Sequence, residues 1–137
     1  GHIDDLARFV NDNTVVCTVE EDPENENYQN LQENFKRLQQ MKDQDGRPLR
    51  IVPIPMPAPV AGPSGEGYVD SFVPASYANF YIANKVVLLP TFQSPYDTKV
   101  TKILSELFPD RQLIGIDCVD LVWGLGAIHC STQQQPV

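Results

Sequence analysis

The chain is poor in the residue types that most often announce a mechanism: it has three cysteines, two histidines and one tryptophan in 137 residues. Cys17, Cys118 and Cys130 are odd in number and widely spaced, which excludes a disulfide framework and a CxxC-type zinc signature. A reducing, cytoplasmic setting fits that usage. Positive charge is scarce as well, with 10 Lys and Arg against 18 Asp and Glu and a formal net charge of −8. That balance argues against nucleic acid and anionic membranes as partners, because both need clustered cations to neutralise phosphate. A small cationic substrate would instead be drawn to such a field. No apolar run approaches the roughly 20 residues needed to cross a bilayer. What is present, 42% hydrophobic residues, suffices for one compact domain that buries roughly two-thirds of its unfolded surface.

Periodicity orders the chain into two similar halves. IDDLARFV (3–10) and TVVCTVE (14–20) read as strands joined at Asn11, Asp12 and Asn13, a hairpin. The solvated stretch EEDPENEN offers Asn25 or Asn27 as a helix cap. It leads into YQNLQENFKRLQQMKD, where Leu31, Phe35 and Leu38 recur at helical spacing until Asp45 and Gly46 end the helix. PLRIVPIPMP (48–57) is a strand whose prolines mark its exit or its edge. The connection 58–75 is long and rich in Pro, Gly and Ser, with Gly62, Gly65 and Gly67 favouring mobility. Then YANFYIAN and KVVLLPTF form a second strand pair around Asn84. A helix follows in SPYDTKVTKILSELFPD, with Val100, Ile103, Leu104, Leu107 and Phe108 on one face, and RQLIGIDC (111–118) returns as a strand. The pattern predicts an α/β chain of two strand–strand–helix–strand units, about 2–57 and 76–137, joined by the loop 58–75.

Few residues could carry chemistry. Cys130 lies in GLGAIHCSTQQQP and is either a small hydrophobe on a last buried strand or a nucleophile in need of a base. His129 is adjacent, and in an extended segment it would face away from the sulfur, toward a core or backbone hydrogen bond. His2 and Asp4, in GHID, would share one face of an extended segment and so bring an imidazole and a carboxylate together. An imidazole moves protons near neutral pH, and a carboxylate grips a guanidinium through paired hydrogen bonds. Gly124 and Gly126 would let the backbone approach a flat substrate. Taken alone, His2 reads equally as an exposed terminal residue, Asp4 and Asp5 as surface carboxylates, and Trp123 as a packing residue. Cys17 and Cys118, inside apolar strands, read as inert.

GHIDDLARFV, SYANFYIAN and LFPDRQLIGIDCVDLVWGLGAIHCSTQQQP together resemble the C-terminal part of agmatine deiminases and the bacterial peptidylarginine-deiminase-like proteins grouped with them. The resemblance implies a five-bladed α/β propeller, or pentein, of ββαβ modules, of which about two are present, so that 1–137 is the C-terminal part of one propeller domain. It also implies a hydrolase that converts a guanidinium group to a ureido group plus ammonia. Agmatine, giving N-carbamoylputrescine, is the leading substrate, with peptidyl-arginine or arginine as the other candidates. On that likeness Cys130 would attack the guanidinium carbon, His2 would act as acid and then base, and Asp4 would bind guanidinium nitrogens, with a backbone contact from Gly124. No metal or organic cofactor is implied. The remaining partner would be the N-terminal remainder of the propeller, which supplies two further carboxylates, so the isolated segment is expected to be inactive and to leave apolar faces open. Homo-oligomer formation stays open. A noncatalytic binding module on the same ββαβ unit is the reading from another class. A metal site ranks low because no ligands cluster at zinc-like spacing along the chain.

Overall fold

The computed structural model describes residues 2–62 and 72–135. Among them the order strand, strand, helix, strand occurs twice. Ala7–Phe9 (β1) and Thr14–Val19 (β2) form an antiparallel hairpin, Tyr28–Gln39 (α1) crosses over, and Arg50–Pro55 (β3) returns parallel to β2. Tyr81–Ile82 (β4), Val86–Thr91 (β5), Asp97–Leu107 (α2) and Gln112–Asp117 (β6) repeat the arrangement. The sheets run β1-β2-β3 and β4-β5-β6. The α/β class and the repeated ββαβ order therefore match the expectation.

Local chemistry explains most of these elements. The first hairpin turns where the Asn11 carboxamide oxygen accepts the N–H groups of Asn13 (3.1 Å) and Thr14 (2.9 Å), replacing ladder bonds that the turn removes. Pro53 and Pro55 lie two apart in the edge strand β3, so the N–H each lacks is one that would face away from β2. The strand ends at Pro55, so the prolines mark both its edge and its exit. On α2 the expected face is realised: Val100 and Leu104 are fully buried, Phe108 nearly so, and Ile103 and Leu107 pack against the same core. That core also takes Val16 and Ile54 from the first sheet, Val87 and Leu89 from the second, and Tyr77 and Phe80 from the segment before β4. Each such side chain contributes about 1.5–3 kcal/mol by leaving water.

Three expectations are corrected. In IDDLARFV, residues Ile3–Asp5 form a 3-10 turn and only Ala7–Phe9 is strand. Helix α1 ends at Gln39, ahead of Asp45 and Gly46. The chain already pairs back on itself at Lys42 and Pro48, and Gly46 (φ 79°) serves a separate turn whose N–H groups at Asp45 and Arg47 are taken by the Asp43 carboxylate. Asn27 stands at the N-cap of α1 as expected, although its side chain makes no cap bond and its own N–H donates to Asn25 Oδ1. In YANFYIAN only Tyr81–Ile82 is strand. Tyr77 to Phe80 form a buried turn that bonds to the first unit, since the Arg8 guanidinium donates to the carbonyls of Ala78 (3.1 Å) and Phe80 (2.9 Å) and stacks over the Phe80 ring.

The connection is anchored by buried Val60 and Val73 and by the bridge between Ala61 and Phe72. Gly65 and Gly67, on which its mobility was argued, lie outside the described residues. On β6, Ile114 and Ile116 share one face and remain 37% and 38% exposed. No helix among the described residues is long and apolar enough to cross a membrane.

Candidate active site

Two short 3-10 turns from opposite ends of the chain meet over a buried asparagine. The first, Ile3–Asp5, follows His2 and presents Asp4 and Asp5. The second, His129–Ser131, presents Cys130. Cys130 is therefore neither on a strand nor buried, while Cys17 and Cys118 are both fully buried, as expected of inert thiols. Burial pushes the Cys17 thiol up to about 11 and also raises that of Cys118.

His2, Asp4 and Cys130 converge. One nitrogen, one oxygen and one sulfur of the three lie within 4.8 Å of one another, although the residues are up to 128 positions apart in sequence. The reason given from sequence for pairing His2 with Asp4, a common extended strand, does not hold, because Asp4 sits in a 3-10 turn. The pair meets because that turn folds the carboxylate toward the second turn. The Cys130 thiol donates to Asp4 Oδ2 at 3.3 Å.

His129 contradicts its expected role. The segment is a tight turn and not extended, and its Nδ1 lies 2.7 Å from Asp4 Oδ2, in an ion pair when the ring is protonated. Its side chain is 40% exposed, against 14% for Asp4. Burial on its own would raise the Asp4 pKa, yet the hydrogen bonds from His129 and Cys130 outweigh it and hold the carboxyl below its ordinary range.

Asn79 is the residue that sequence reasoning missed. Fully buried in the turn before β4, its Nδ2 lies 2.8 Å from Asp5 Oδ1, 3.0 Å from Cys130 Sγ and 3.3 Å from Asp4 Oδ2. Its Oδ1 accepts the Cys130 N–H at 3.1 Å, and its backbone carbonyl accepts the His129 N–H at 3.0 Å. One side chain thus ties both turns together. The signal available in the sequence was only a polar residue inside an apolar run, which is compatible with many roles.

The electrostatics of the sulfur are unusual for a nucleophile. Burial raises the Cys130 thiol above its ordinary value, the Asn79 amide opposes this, and the Asp4 and Asp5 carboxylates raise it further. Asp5 is itself raised, by burial and by the charge of Asp4, against the hydrogen bond from Asn79. The site as it stands therefore favours a neutral thiol beside anionic carboxylates, a surface that a cation would complete.

The two glycines play different parts. A Cβ on Gly126 would come within 2.5 Å of Cys130 Cβ and 2.9 Å of its Sγ, whereas a Cβ on Gly124 would meet nothing within 4 Å. Gly126 is the residue that lets the cysteine turn close, and Leu125 beside it takes a left-handed conformation at φ 66°. Trp123 is part exposed, and its indole N–H donates to the Ala61 carbonyl at 3.2 Å.

Comparison with known proteins gives a consistent result. The profile of the Porphyromonas-type peptidyl-arginine deiminase family matches residues 1–136. A Lactococcus lactis protein provisionally named an agmatine deiminase is 38% identical over 99% of this chain and 40% of its own length. The agmatine deiminase of Pseudomonas fluorescens is 31% identical over the same shares. Among solved structures, the Enterococcus faecalis agmatine deiminase superposes with a TM-score of 0.90 at 31% identity, covering 99% of this chain and 40% of that one. The chain spans about two-fifths of the length of the curated relatives it matches.

Proposed function

Because the chain belongs to the Porphyromonas-type peptidyl-arginine deiminase family, we propose that it carries the nucleophile-bearing part of a guanidine hydrolase whose substrate is agmatine. The observation that supports this most directly is the convergence of His2, Asp4 and Cys130 from the two ends of the chain, over Asn79. A pure binding module has no chemical need for a thiol, an imidazole and a carboxylate at one point.

In this reading the guanidinium of the substrate lies against Asp4, which holds its carbon in line with Cys130 Sγ. The arriving cation offsets the two carboxylates that raise the thiol, so the sulfur ionises on binding and its proton passes to His2. Sulfur attacks the carbon, His2 protonates the departing nitrogen, and ammonia leaves an amidino-cysteine. His2 then takes a proton from water, whose oxygen adds to the same carbon. Collapse breaks the C–S bond, returns the proton to sulfur and releases the ureide, N-carbamoylputrescine for agmatine. His129 keeps Asp4 in place through its 2.7 Å contact, a positioning role. Gly124 contributes a backbone contact to the substrate.

The whole is a five-bladed propeller in a cytoplasmic enzyme, and the chain 1–137 supplies two of its blades, one per ββαβ unit. Further carboxylates for the guanidinium and for His2 come from the N-terminal remainder, which also covers Ile114 and Ile116. The 137-residue chain by itself is inactive.

The test is mass spectrometry of the full-length protein, and of its Cys130→Ser variant, after incubation with agmatine and an acid quench. One amidino-substrate adduct on the Cys130 peptide, absent from the variant, is expected. No adduct and no ammonia with agmatine, arginine or peptidyl-arginine would overturn the reading and return the cysteine to a structural role.

A further inference from the structure

We propose that His2, Asp4 and Cys130 also form a zinc-binding site, at which Zn2+ and the guanidinium substrate exclude each other. Among the described residues this is the one group of three His, Cys, Asp or Glu side chains whose ligand atoms come together, all within 4.8 Å. Zinc takes thiolate, imidazole and carboxylate donors at about 2.0–2.3 Å in tetrahedral array, so two of its ligand atoms lie about 3.3–3.8 Å apart. Cys130 Sγ and Asp4 Oδ2 already stand at 3.3 Å. The His2 nitrogen needs to close by about 1 Å. His2 is exposed and its own backbone is extended, outside the 3-10 turn that follows, so a rotamer change supplies that movement without disturbing the fold.

The donor types select the metal. One sulfur, one nitrogen and one oxygen suit zinc, while calcium and magnesium require sets of oxygens. Three protein ligands leave the fourth position to water, the pattern of an open zinc site. The surroundings supply what an isolated trio would lack. His129 Nδ1, 2.7 Å from Asp4 Oδ2, anchors the carboxylate. Asn79 Nδ2 donates to the sulfur at 3.0 Å and to Asp5 at 2.8 Å, so the thiolate is oriented by a buried amide. Such outer partners change metal affinity by about 10–100-fold. Asp5 adds a second carboxylate close by, in a chain whose net charge is −8. Cys130 is exposed, which gives the ion a way in.

Binding is a ligand exchange without redox change. The Cys130 S–H bond breaks, its proton passes to buffer, the sulfur lone pair and the neutral His2 nitrogen bond to zinc, and two or more waters leave the hydrated ion. Binding stands on geometry alone, whereas the competition with substrate rests on the deiminase reading. If both hold, zinc occupies the three groups that the reaction requires and the enzyme falls silent until the metal is removed.

The experiment titrates Zn2+ into the full-length protein against a colorimetric chelator, with Co2+ as a spectroscopic probe. One equivalent is expected, accompanied by release of one proton and, for cobalt, a thiolate-to-metal charge-transfer band. Cys130→Ser and His2→Ala should lose the site, Cys17→Ser and Cys118→Ser should keep it, and His129→Ala should weaken it about 10–100-fold. A second readout needs no variant: zinc should protect the Cys130 peptide from alkylation at least tenfold while leaving the Cys17 and Cys118 peptides unchanged. Tight binding that survives Cys130→Ser, or equimolar zinc without protection, would overturn the proposal. Agmatine turnover by the full-length protein separates the two readings. Turnover that zinc inhibits competitively supports both, absence of turnover with an intact zinc site removes only the deiminase reading, and turnover indifferent to zinc removes only the metal site.

Discussion

Gly126→Ala and Gly124→Ala form a matched pair, identical in chemistry and two residues apart, with opposite expected outcomes. Carbon atoms in contact rest at about 3.5–4.0 Å. The new Cβ at 126 would lie 2.5 Å from Cys130 Cβ and 2.9 Å from Sγ, an overlap of about 1 Å with the first of these. Gly126 is itself buried, so the overlap cannot be relieved into solvent. The turn must open or the cysteine must move, and overpacking of this kind costs about 1–3 kcal/mol. For a chain of this size, about 4 °C of Tm per kcal/mol gives a fall of about 4–12 °C. On the proposed mechanism, a sulfur displaced by about 1 Å loses its line to the guanidinium carbon, which lowers kcat/KM of the full-length protein on the order of 100-fold. At 124 the added methyl meets nothing within 4 Å and the backbone is not left-handed. The alanine there should be neutral or gain about 0.4–1 kcal/mol by restricting the unfolded chain. Thermal unfolding followed by circular dichroism, with turnover measured in parallel, reads both. A Gly126→Ala protein that melts and turns over like the parent would refute the claim that glycine is needed at 126 for steric reasons.

Two other perturbations test the electrostatics. Cys130 titrates above its ordinary 9.0, so its alkylation in the unliganded chain should be slow at pH 7 and rise about tenfold per pH unit toward 9. Asp4→Asn removes a charge that raises the thiol and should speed alkylation at pH 7; an unchanged or slower rate would count against the cause assigned. Asn79→Asp replaces the buried amide donor by a third carboxylate beside Asp4 and Asp5. It should destabilise the chain by more than about 2 kcal/mol at pH 7. The introduced carboxyl has its folded pKa raised, so stability is retained below its unfolded value of about 3.9 and lost as pH rises through the folded value. Urea unfolding at pH 4 and pH 7 measures the difference, and a pH-independent loss would refute the electrostatic account.

What could be read in advance, and what could not, follows from the range of the interactions. The α2 face was legible because five apolar residues at helical spacing report burial by local periodicity alone, and β3 was legible because proline removes a donor wherever it stands. The 3-10 turn at Ile3–Asp5 was not, since a run of three residues is too short to carry a period. The turn at Tyr77–Phe80 reads as strand by composition, and is held as a turn by Ser76 together with Arg8, which satisfies the Ala78 and Phe80 carbonyls from 70 and 72 residues away. At the site, His2, Asp4 and Cys130 were candidates by residue chemistry and drew their expected roles from resemblance, while Asn79 and His129 acquire theirs from contacts across 51 and 125 positions that no local pattern encodes.

The placement of Asn79 has one more consequence. Asp4 and Asp5 belong to the first ββαβ unit, whereas Asn79, His129 and Cys130 belong to the second, so the polar cluster is an interface between two halves of the chain. Its geometry therefore reports docking and not merely folding. Supplied as two separate polypeptides divided within the 58–75 connection, the halves would each lack part of the site, and the chemical signature of Cys130 would appear only upon their reassembly. The cluster is in effect a built-in complementation sensor, in which one buried amide records whether the two halves have found each other.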